Sequence, residues 1–344
     1  MNRTGNGEVV LVTGGTGYVG GWTLVALLKQ GYRVRTTVRA LRREGEVRAA
    51  IARQVDAEDR LSFFAADLLK DEGWEQAADG ADFILHVASP MGVGEFKDQD
   101  LIRPAREGTL RVLKAGAKAG VKRVVVTSSL LAALPPARES GRTPTDETVW
   151  TDLTGKGVNH YTHSKTLAEQ AAWDFARQSG GPMTLTTVLP GMIQGPVLGK
   201  DLGGSIEMMA RMLRGEFSRL PRLGFSVVDV RDLVDLHLLA MRTPEAAGHR
   251  FAGTSDFLWM TDMARMLRER LGARAAKVPT GLAPDFLVRV GALFNPEMRQ
   301  LTGSLGRRNE FSTAKAERML GWRARPAAES IVDCAESLVR EGLV

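Results

Sequence analysis

Two residues that could transfer a proton, Tyr161 and Lys165, stand four positions apart at the start of the stretch HYTHSKTLAEQAAWDFA. On a helix this spacing places both side chains on the same face. A lysine ammonium beside a phenol favours the phenolate and lowers the pKa of the hydroxyl, so Tyr161 is a candidate acid for a carbonyl oxygen. An isolated YxxxK is more often a structural tyrosine and a solvated lysine, so the surrounding elements have to distinguish the two interpretations.

Three hydroxyl residues, Thr127, Ser128 and Ser129, end the apolar run RVVVTSS. Continuous apolar runs of this length are typical of strands buried on both faces of a parallel sheet, and the carboxyl ends of such strands border the ligand crevice. A carbonyl that accepts a hydride needs a hydrogen bond to its developing oxyanion. We expect one of the three hydroxyls to supply that bond and the others to act as structural caps.

A glycine-rich segment joins the first predicted strand, residues 9–13, to a helix that ends at Gly31. It contains GxGxxG at Gly15, Gly17 and Gly20, and a wider GxxGxxG that begins at Gly14. Glycines allow a tight turn and close approach of the backbone to a pyrophosphate held at the helix N-terminus. Because the segment lies between the first strand and the first helix of a βαβ unit, it predicts dinucleotide binding.

The end of the second predicted strand indicates which dinucleotide binds. An NAD site places an acidic residue there for the ribose hydroxyl, but residues 35–43 contain no carboxylate. Arg39, with Arg42 or Arg43, instead offers guanidinium groups suited to a 2′-phosphate. The sequence therefore predicts NADP(H) as the cofactor and leaves open which of the last two arginines contributes.

The chain alternates short β-branched runs with helical segments. The runs cover residues 9–13, 33–38, 61–65, 83–88, 123–128 and 184–189. This alternation predicts an α/β fold, a doubly wound parallel sheet of the Rossmann type. We expect residues 1–190 to form the NADP-binding domain, with 225–255 returning to its sheet through strands at 225–230 and 249–253. Residues 191–224 and 256–344 then form a smaller C-terminal substrate-binding lobe with three helices after residue 253, and 134–148 form a surface loop.

Composition excludes several classes of protein. The 344 residues carry a formal charge of +6, but their arginines are scattered, so nucleic-acid binding is not expected. Five histidines and the single Cys334 lack metal-ligand spacing; His86 is expected to be a satisfied core residue, and Cys334 a small buried apolar one. Residues 1–15 contain no apolar stretch of signal-peptide length, and no apolar run of the sequence is long enough to cross a membrane. We therefore expect a soluble cytoplasmic protein with no membrane partner.

Several segments together resemble a known family: TGGTGYVG, AADL, HVASP, YTHSKTLAEQAAW and PGMIQGP. The chain is similar to extended short-chain dehydrogenase/reductases. Within the NAD-dependent epimerase/dehydratase superfamily it resembles the branch of dihydroflavonol, cinnamoyl-CoA and aldehyde (methylglyoxal) reductases. The resemblance covers nearly the whole chain.

The resemblance implies roles for individual residues. It assigns the catalytic serine to Ser129, beside Tyr161 and Lys165. The residues expected at the cofactor, from the glycine loop, the arginines and the resemblance, are Thr13, Gly14, Gly17, Tyr18, Val19, Arg39, Arg42, Asp67, Leu68, Ala88, Ser89, Lys165, Pro190, Met192 and Ile193. The residues expected to line an apolar substrate pocket are Met91, Val93, Leu130, Met208 and Phe225.

The sequence thus predicts an NADPH-dependent carbonyl reductase for an apolar or aromatic small-molecule carbonyl compound. A nucleotide-sugar epimerase or dehydratase with tightly bound NAD is one alternative, since it uses the same Tyr and Lys. A non-catalytic NADP(H) sensor is the other, although the complete Ser129, Tyr161 and Lys165 set disfavours it. The natural substrate, and the choice between monomer and homodimer, stay open.

Overall fold

The computed structural model describes residues 5, 7–90, 101–155, 158–200 and 202–344, except the side chains of residues 296, 297 and 300. Its strands, in chain order, are β1 (Val9–Thr13), β2 (Arg33–Val38), β3 (Leu61–Ala65), β4 (Phe83–His86), β5 (Arg123–Thr127), β6 (Thr184–Pro190), β7 (Met192–Gln194), β8 (Gly224–Asp229), β9 (Arg250–Gly253) and β10 (Phe257–Trp259). Its α-helices are α1 (Tyr18–Lys29), α2 (Glu44–Ala52), α3 (Trp74–Ala78), α4 (Ile102–Lys118), α5 (His160–Gln178), α6 (Gly204–Arg214), α7 (Val230–Arg242), α8 (Met260–Leu271), α9 (Asp285–Gly291), α10 (Pro296–Leu301), α11 (Ala314–Leu320) and α12 (Ala327–Arg340).

Seven strands of the described chain form one sheet in the order β3-β2-β1-β4-β5-β6-β9. Every neighbouring pair in this sheet is parallel. The chain turns back between β1 and β4, which makes the gap above these two strands the topological switch point, where open α/β sheets bind ligands. The predicted doubly wound parallel sheet is confirmed.

The central strands are buried on both faces because helices cover each side of the sheet. On β1, Val10 and Val12 belong to the apolar cluster that α1 and α7 share, while Leu11 points to the opposite cluster beneath α3 and α4. This alternation follows from the two-residue period of a strand. It explains why the buried strands read as continuous apolar runs in the sequence.

The C-terminal part of the chain differs from the sequence-based expectation in two respects. The strand expected at 225–230 is β8, but it belongs to a separate three-stranded sheet of order β10-β8-β7, so β9 alone of residues 225–255 joins the main sheet. Five helices, not three, follow β9. Periodicity detects short strands and helices but does not specify their partners, which explains both differences. The division into two domains stays a prediction.

A second apolar core lies among α6, α8 and α12. Met209, Met212 and Met263 are fully buried in it, together with Cys334, whose predicted burial is confirmed.

Residues 134–148 form the expected loop, which an isolated β-bridge between Thr145 and Phe311 connects to the C-terminal part of the chain. No helix in the described ranges has the length and apolar character needed to cross a bilayer.

Candidate active site

The switch point between β1 and β4 is held by a buried histidine. Thr13 and His86 are paired in the β1–β4 register, and Thr13 Oγ1 lies 2.8 Å from His86 Nδ1. Thr13 Oγ1 also accepts a hydrogen bond from the amide of Ala88 at 3.0 Å. Burial lowers the pKa of His86 to about 3, and the ring is neutral at physiological pH. His86 is thus a satisfied core residue that fixes the two loops flanking the crevice.

The glycine loop after β1 is shaped by close backbone approaches. Gly14 has φ +74°, which favours glycine, and its amide donates to Thr37 Oγ1 at 3.1 Å. A Cβ on Gly20 would lie 2.2 Å from the carbonyl oxygen of Gly14, so a larger residue would force helix α1 away from the loop. Gly17 caps α1 without a side-chain hydrogen bond, and the first turn of α1 carries no acidic residue. The loop and helix end therefore fit the diphosphate of a dinucleotide.

Tyr18 and Val19, also expected at the cofactor, begin helix α1. Val19 packs against the core shared by α1 and α7. The ring of Tyr18 packs against the core of α6, α8 and α12, and burial raises the pKa of its hydroxyl well above the usual value. That hydroxyl has no hydrogen-bond partner within the described chain.

The arginines after β2 differ in their contacts. Arg39 is exposed directly after the strand, as a group that meets a 2′-phosphate must be. Arg43 donates from Nε and Nη2 to the two carboxylate oxygens of Glu46, each at 2.8 Å, and this contact lowers the pKa of Glu46. Arg42 is exposed and forms no ion pair with the residues that the structure describes. The geometry therefore favours Arg42 over Arg43 as the companion of Arg39.

Tyr161 and Lys165 lie in the first turns of α5, which begins directly after Asn159. The side chain of Asn159 accepts a hydrogen bond from the amide of Thr162 at 2.8 Å and caps the helix. Lys165 Nζ lies 6.0 Å from the centre of the Tyr161 ring and donates to the carbonyl oxygen of Thr127 at 3.4 Å. The pair therefore lies at the carboxyl end of β5, at the crevice.

Burial dominates the titration of both groups. It raises the pKa of Tyr161 to about 12 and lowers the pKa of Lys165 to about 8, and Glu169 opposes the second shift. The expected lowering of the Tyr161 pKa by Lys165 is therefore not seen. The reason is that a buried site disfavours each charged form, and at 6.0 Å from the ring centre the ammonium does not offset that cost.

The three hydroxyls after β5 have different partners. Thr127 Oγ1 lies 2.7 Å from His237 Nε2, and Ser128 Oγ donates to Glu169 Oε2 at 2.6 Å. Both hydroxyls thus have partners inside the protein. Ser129 caps a short 3₁₀ helix by accepting from the amide of Leu131 at 3.2 Å, which leaves its hydroxyl proton for another acceptor. Ser129 is therefore the hydroxyl best suited to a substrate oxygen.

Glu169 is a buried residue of the site that sequence reasoning missed. Its carboxylate accepts from Ser128 and from Thr187 Oγ1, each at 2.6 Å, and pairs with Arg250. It lies four residues after Lys165 on α5, the same spacing that separates Tyr161 from Lys165. This repeated spacing places all three residues on one face of the helix and could have indicated that Glu169 belongs to the site. With Ser128, Lys165 and the ends of β4 and β5, Glu169 lines a small cavity beneath the crevice.

Comparison with known proteins identifies the family. A model of the NAD dependent epimerase/dehydratase family matches residues 10–252. The chain belongs to this family. It is an extended short-chain dehydrogenase/reductase, as its sequence motifs predicted.

The relatives of this extended short-chain dehydrogenase/reductase include several reductases. Cinnamoyl-CoA reductase 1 from Petunia hybrida is 34% identical over 268 residues, 77% of this chain and 78% of that protein. Tetraketide alpha-pyrone reductase 1 from Arabidopsis thaliana is 30% identical over 338 residues, 97% of this chain and 96% of that protein. The structure of yeast methylglyoxal/isovaleraldehyde reductase complexed with NADPH superimposes with a TM-score of 0.81, at 26% identity, covering 98% of this chain and 100% of that one.

The remaining family-derived cofactor residues are placed along the crevice side of the sheet. Asp67 follows β3 and accepts from the amide of Leu69, while Leu68 packs against Gly108 of α4. Ala88 and Ser89 follow β4 and line the cavity beside Lys165. A further group follows the end of β6: Pro190 ends that strand, and Met192 and Ile193 form β7. Their contacts with a cofactor stay predictions.

The residues expected at the substrate pocket are only partly brought together. Leu130 is 4% exposed and packs with Leu189 and Ala252, so the structure gives it a core position instead of a pocket position. Met208 on α6 and Phe225 on β8 are half-buried beside the lobe core. Met91 and Val93 lie outside the described residues.

Proposed function

We propose that this extended short-chain dehydrogenase/reductase is an NADPH-dependent carbonyl reductase with Ser129, Tyr161 and Lys165 as its catalytic set. The observation that carries the proposal is the placement of Tyr161 and Lys165 at the end of β5, where Lys165 Nζ reaches the Thr127 carbonyl oxygen. The named reductases among its relatives and the NADPH-bound yeast structure identify the chain as an NADP-dependent oxidoreductase of the reductase branch. The prediction of NADP(H) as cofactor is confirmed.

The cofactor site is built from the chain's own groups. The open amides at the start of α1 would hold the diphosphate, and Arg39 with Arg42 would hold the 2′-phosphate. Lys165 would orient the nicotinamide ribose through its hydroxyls. When bound, NADPH supplies the hydride that reduces the carbonyl carbon.

Tyr161 and Ser129 act on the substrate oxygen. Because burial raises the pKa of Tyr161 to about 12, its hydroxyl holds a proton at neutral pH and can donate it to the alkoxide that forms. The Ser129 hydroxyl donates a hydrogen bond to the same oxygen and so stabilises the developing charge. A charged Lys165 beside Tyr161 stabilises the phenolate left after the transfer.

The substrate is a small carbonyl compound with an apolar body. Met208 and Phe225, half-buried against the core of α6, α8 and α12, would offer an apolar, adaptable surface to such a substrate. The named substrates of the relatives, a cinnamoyl thioester, a tetraketide α-pyrone, methylglyoxal and isovaleraldehyde, all contain carbonyl groups.

The deciding experiment follows NADPH oxidation, with NADH in parallel, against aromatic and aliphatic aldehydes, ketones and diketones. We expect turnover with NADPH, and a loss of roughly 10²- to 10⁴-fold in Tyr161→Phe with unchanged NADPH affinity. His163→Gln, two residues further along the helix, is the matched control and should keep wild-type turnover.

Two outcomes would overturn the proposal. Silence across the panel together with tightly held NAD in the purified protein would favour the epimerase or dehydratase alternative. NADPH binding without turnover, unaffected by Tyr161→Phe, would favour the sensor alternative.

A further inference from the structure

The hydroxyl of Ser129 stands at the start of a short 3₁₀ helix and not within a strand. Strand β5 ends two residues earlier, and the amide of Ser128 still donates to the carbonyl oxygen of Val188 on β6 at 2.8 Å. Ser129 lies beyond this ladder and caps the 3₁₀ helix Leu130–Ala133, where its hydroxyl accepts from the amide of Leu131. The position of the hydroxyl therefore depends on what holds this 3₁₀ helix.

Thr151 supplies three hydrogen bonds to this part of the chain. Its Oγ1 donates to the carbonyl oxygen of Leu131 at 2.6 Å and accepts from the amide of Leu134 at 2.8 Å. Its own amide donates to the carbonyl oxygen of Ala132 at 3.2 Å. A 3₁₀ helix of one turn has few internal bonds, and their geometry is poorer than in an α-helix. The buried Thr151 therefore determines where the 3₁₀ helix lies.

The hydroxyl proton of Thr151 is already in use. A threonine hydroxyl donates one hydrogen bond, and the carbonyl oxygen of Leu131 receives it. Ser129 differs, because its hydroxyl accepts in the contact with Leu131 and keeps its own proton. An effect of Thr151 on the reaction is therefore exerted through the 3₁₀ helix and Ser129, and not by contact with the reacting atoms.

A buried guanidinium holds the segment that precedes Thr151. Arg250 Nη1 donates to the carbonyl oxygens of Glu147 and Val149 at 2.6 and 2.9 Å. Its Nη2 donates to a carbonyl oxygen of the 3₁₀ helix at 3.3 Å. Because Arg250 also pairs with Glu169, the position of Thr151 is fixed relative to α5.

Carbonyl reduction makes a strict demand on this placement. Ser129 and Tyr161 have to meet the same substrate oxygen, one from the 3₁₀ helix and the other from α5. A misplacement of about 1 Å in such an arrangement costs on the order of 100-fold in rate. Loss of the Thr151 hydroxyl releases one side of the 3₁₀ helix, so its effect should fall on kcat and not on NADPH binding.

We propose that Thr151 is a positioning residue that holds the Ser129 hydroxyl in place for the substrate oxygen. The proposal rests on the proposed function, in particular on the role of Ser129. Steady-state kinetics test it, with NADPH and whichever of benzaldehyde, isovaleraldehyde and methylglyoxal the wild type reduces fastest. We expect Thr151→Val to lower kcat about 10-fold with unchanged NADPH affinity. Thr151→Ser keeps the hydroxyl and should stay within about twofold of the wild type.

A double-mutant cycle separates positioning from a general structural role. Ser129→Ala alone should lower kcat by roughly 10²- to 10³-fold, as expected for the loss of one donor to the oxyanion. In that background Thr151→Val should lower kcat by less than about twofold more, because the hydroxyl that it positions is absent.

Thr186→Val is the matched control for the loss of a buried threonine hydroxyl. Thr186 Oγ1 donates to the carbonyl oxygen of Ala246 at 2.7 Å, in the first half of β6 and away from the crevice end of that strand. Its removal should change stability by about as much as Thr151→Val, roughly 1–3 kcal/mol, and leave kcat within about twofold of the wild type.

Thermal unfolding and NADPH titration of each variant establish that it is folded. Thr151→Ala is a second disrupting variant, since it removes the hydroxyl without placing a methyl group beside the carbonyl oxygen of Leu131. Equal kcat values in Thr151→Val and Thr186→Val, or an undiminished loss in the Ser129→Ala background, overturn the proposal and leave the role of Ser129 intact. Wild-type turnover in Ser129→Ala, or a wild type that reduces none of the three probes, instead contradicts the proposed function, and the positioning role falls with it.

Discussion

Glu169 and Arg250 form a buried two-point ion pair. Arg250 Nε donates to Glu169 Oε1 at 2.8 Å and Nη2 donates to Oε2 at 3.0 Å. Arg250 also stacks on the ring of Trp150 at 3.7 Å and donates to the carbonyl oxygens of Ala132, Glu147 and Val149. One guanidinium therefore joins the helix that carries Tyr161 and Lys165 to the chain that follows Ser129.

Removing one partner of this pair is expected to destabilise the fold strongly. Glu169→Gln leaves the buried Arg250 without its counter-charge, and breaking a buried pair in this way costs about 3–5 kcal/mol. Urea unfolding followed by circular dichroism measures the change. Asp174→Asn is the matched control, because Asp174 forms an exposed pair with Arg177 on the same helix and should change stability by less than about 1 kcal/mol. Equal effects in the two variants would contradict the special role of the buried pair.

The pH dependence of reduction should report Lys165. The pKa of Lys165 is lowered to about 8, chiefly by burial, and the carboxylate of Glu169 opposes this shift. The neighbouring His86 is neutral and contributes no charge. We expect kcat/KM to fall as the pH rises through about 8, since the neutral amine no longer stabilises the phenolate of Tyr161. Glu169→Gln removes the group that raises the pKa, so the same decline should move to lower pH.

Lys165→Arg provides the control for this assignment. Arginine stays charged throughout the range, so its slower reaction should lack the decline near pH 8. A decline that keeps its position in both Lys165→Arg and Glu169→Gln would assign it to another group.

Cofactor preference should depend on Arg39 and not on Arg43. A charge-assisted bond to the 2′-phosphate contributes about 1.5–3 kcal/mol, so Arg39→Ala should weaken NADPH binding by about 10- to 100-fold and leave NADH binding nearly unchanged. Arg43→Ala is the matched control, because its guanidinium is held by Glu46. Fluorescence titration with both nucleotides measures the effect. An equal loss for NADH and NADPH in Arg39→Ala would mean that this arginine does not meet the phosphate.

The glycine loop should not tolerate a methyl group at Gly20. The added Cβ would lie 2.2 Å from the Gly14 carbonyl oxygen, so Gly20→Ala should reduce NADPH affinity by more than about 10-fold by displacing helix α1 from the loop. Gly45→Ala is the control: nothing lies within 4 Å of its Cβ on α2, and it should raise stability by roughly 0.5–1 kcal/mol with unchanged NADPH affinity. Unchanged NADPH binding in Gly20→Ala would show that the loop can shift without cost.

The main sheet could be predicted from local patterns because its signals are local. The runs at 9–13, 33–38 and 61–65 coincide with β1, β2 and β3, since short runs rich in β-branched and aromatic residues favour strands. The glycine loop and the YxxxK pair were likewise readable, because each is set by residues within one turn or one helix.

The partners of short elements could not be predicted in the same way. The strand β8 was expected in the main sheet, yet it pairs with β7 and β10. A three- to six-residue strand has the same periodicity in either sheet, and only packing decides its neighbours. Leu130 shows the same limit, since its apolar side chain suits a pocket as well as the core that it occupies.

The sequence by itself determined the parallel sheet, the dinucleotide loop and Tyr161 and Lys165 as candidates, because these depend on spacing along the chain. Among the three hydroxyls after β5, Ser129 was singled out by the resemblance to the family. Only the tertiary structure decided that Glu169 lies against Arg250, 81 residues away, and that Thr13 is bound to His86, 73 residues away. It also decided which apolar residues of 282–301 face outward. Buried pairs and exposed faces depend on how helices and strands pack across the fold, and sequence spacing carries no record of those distances.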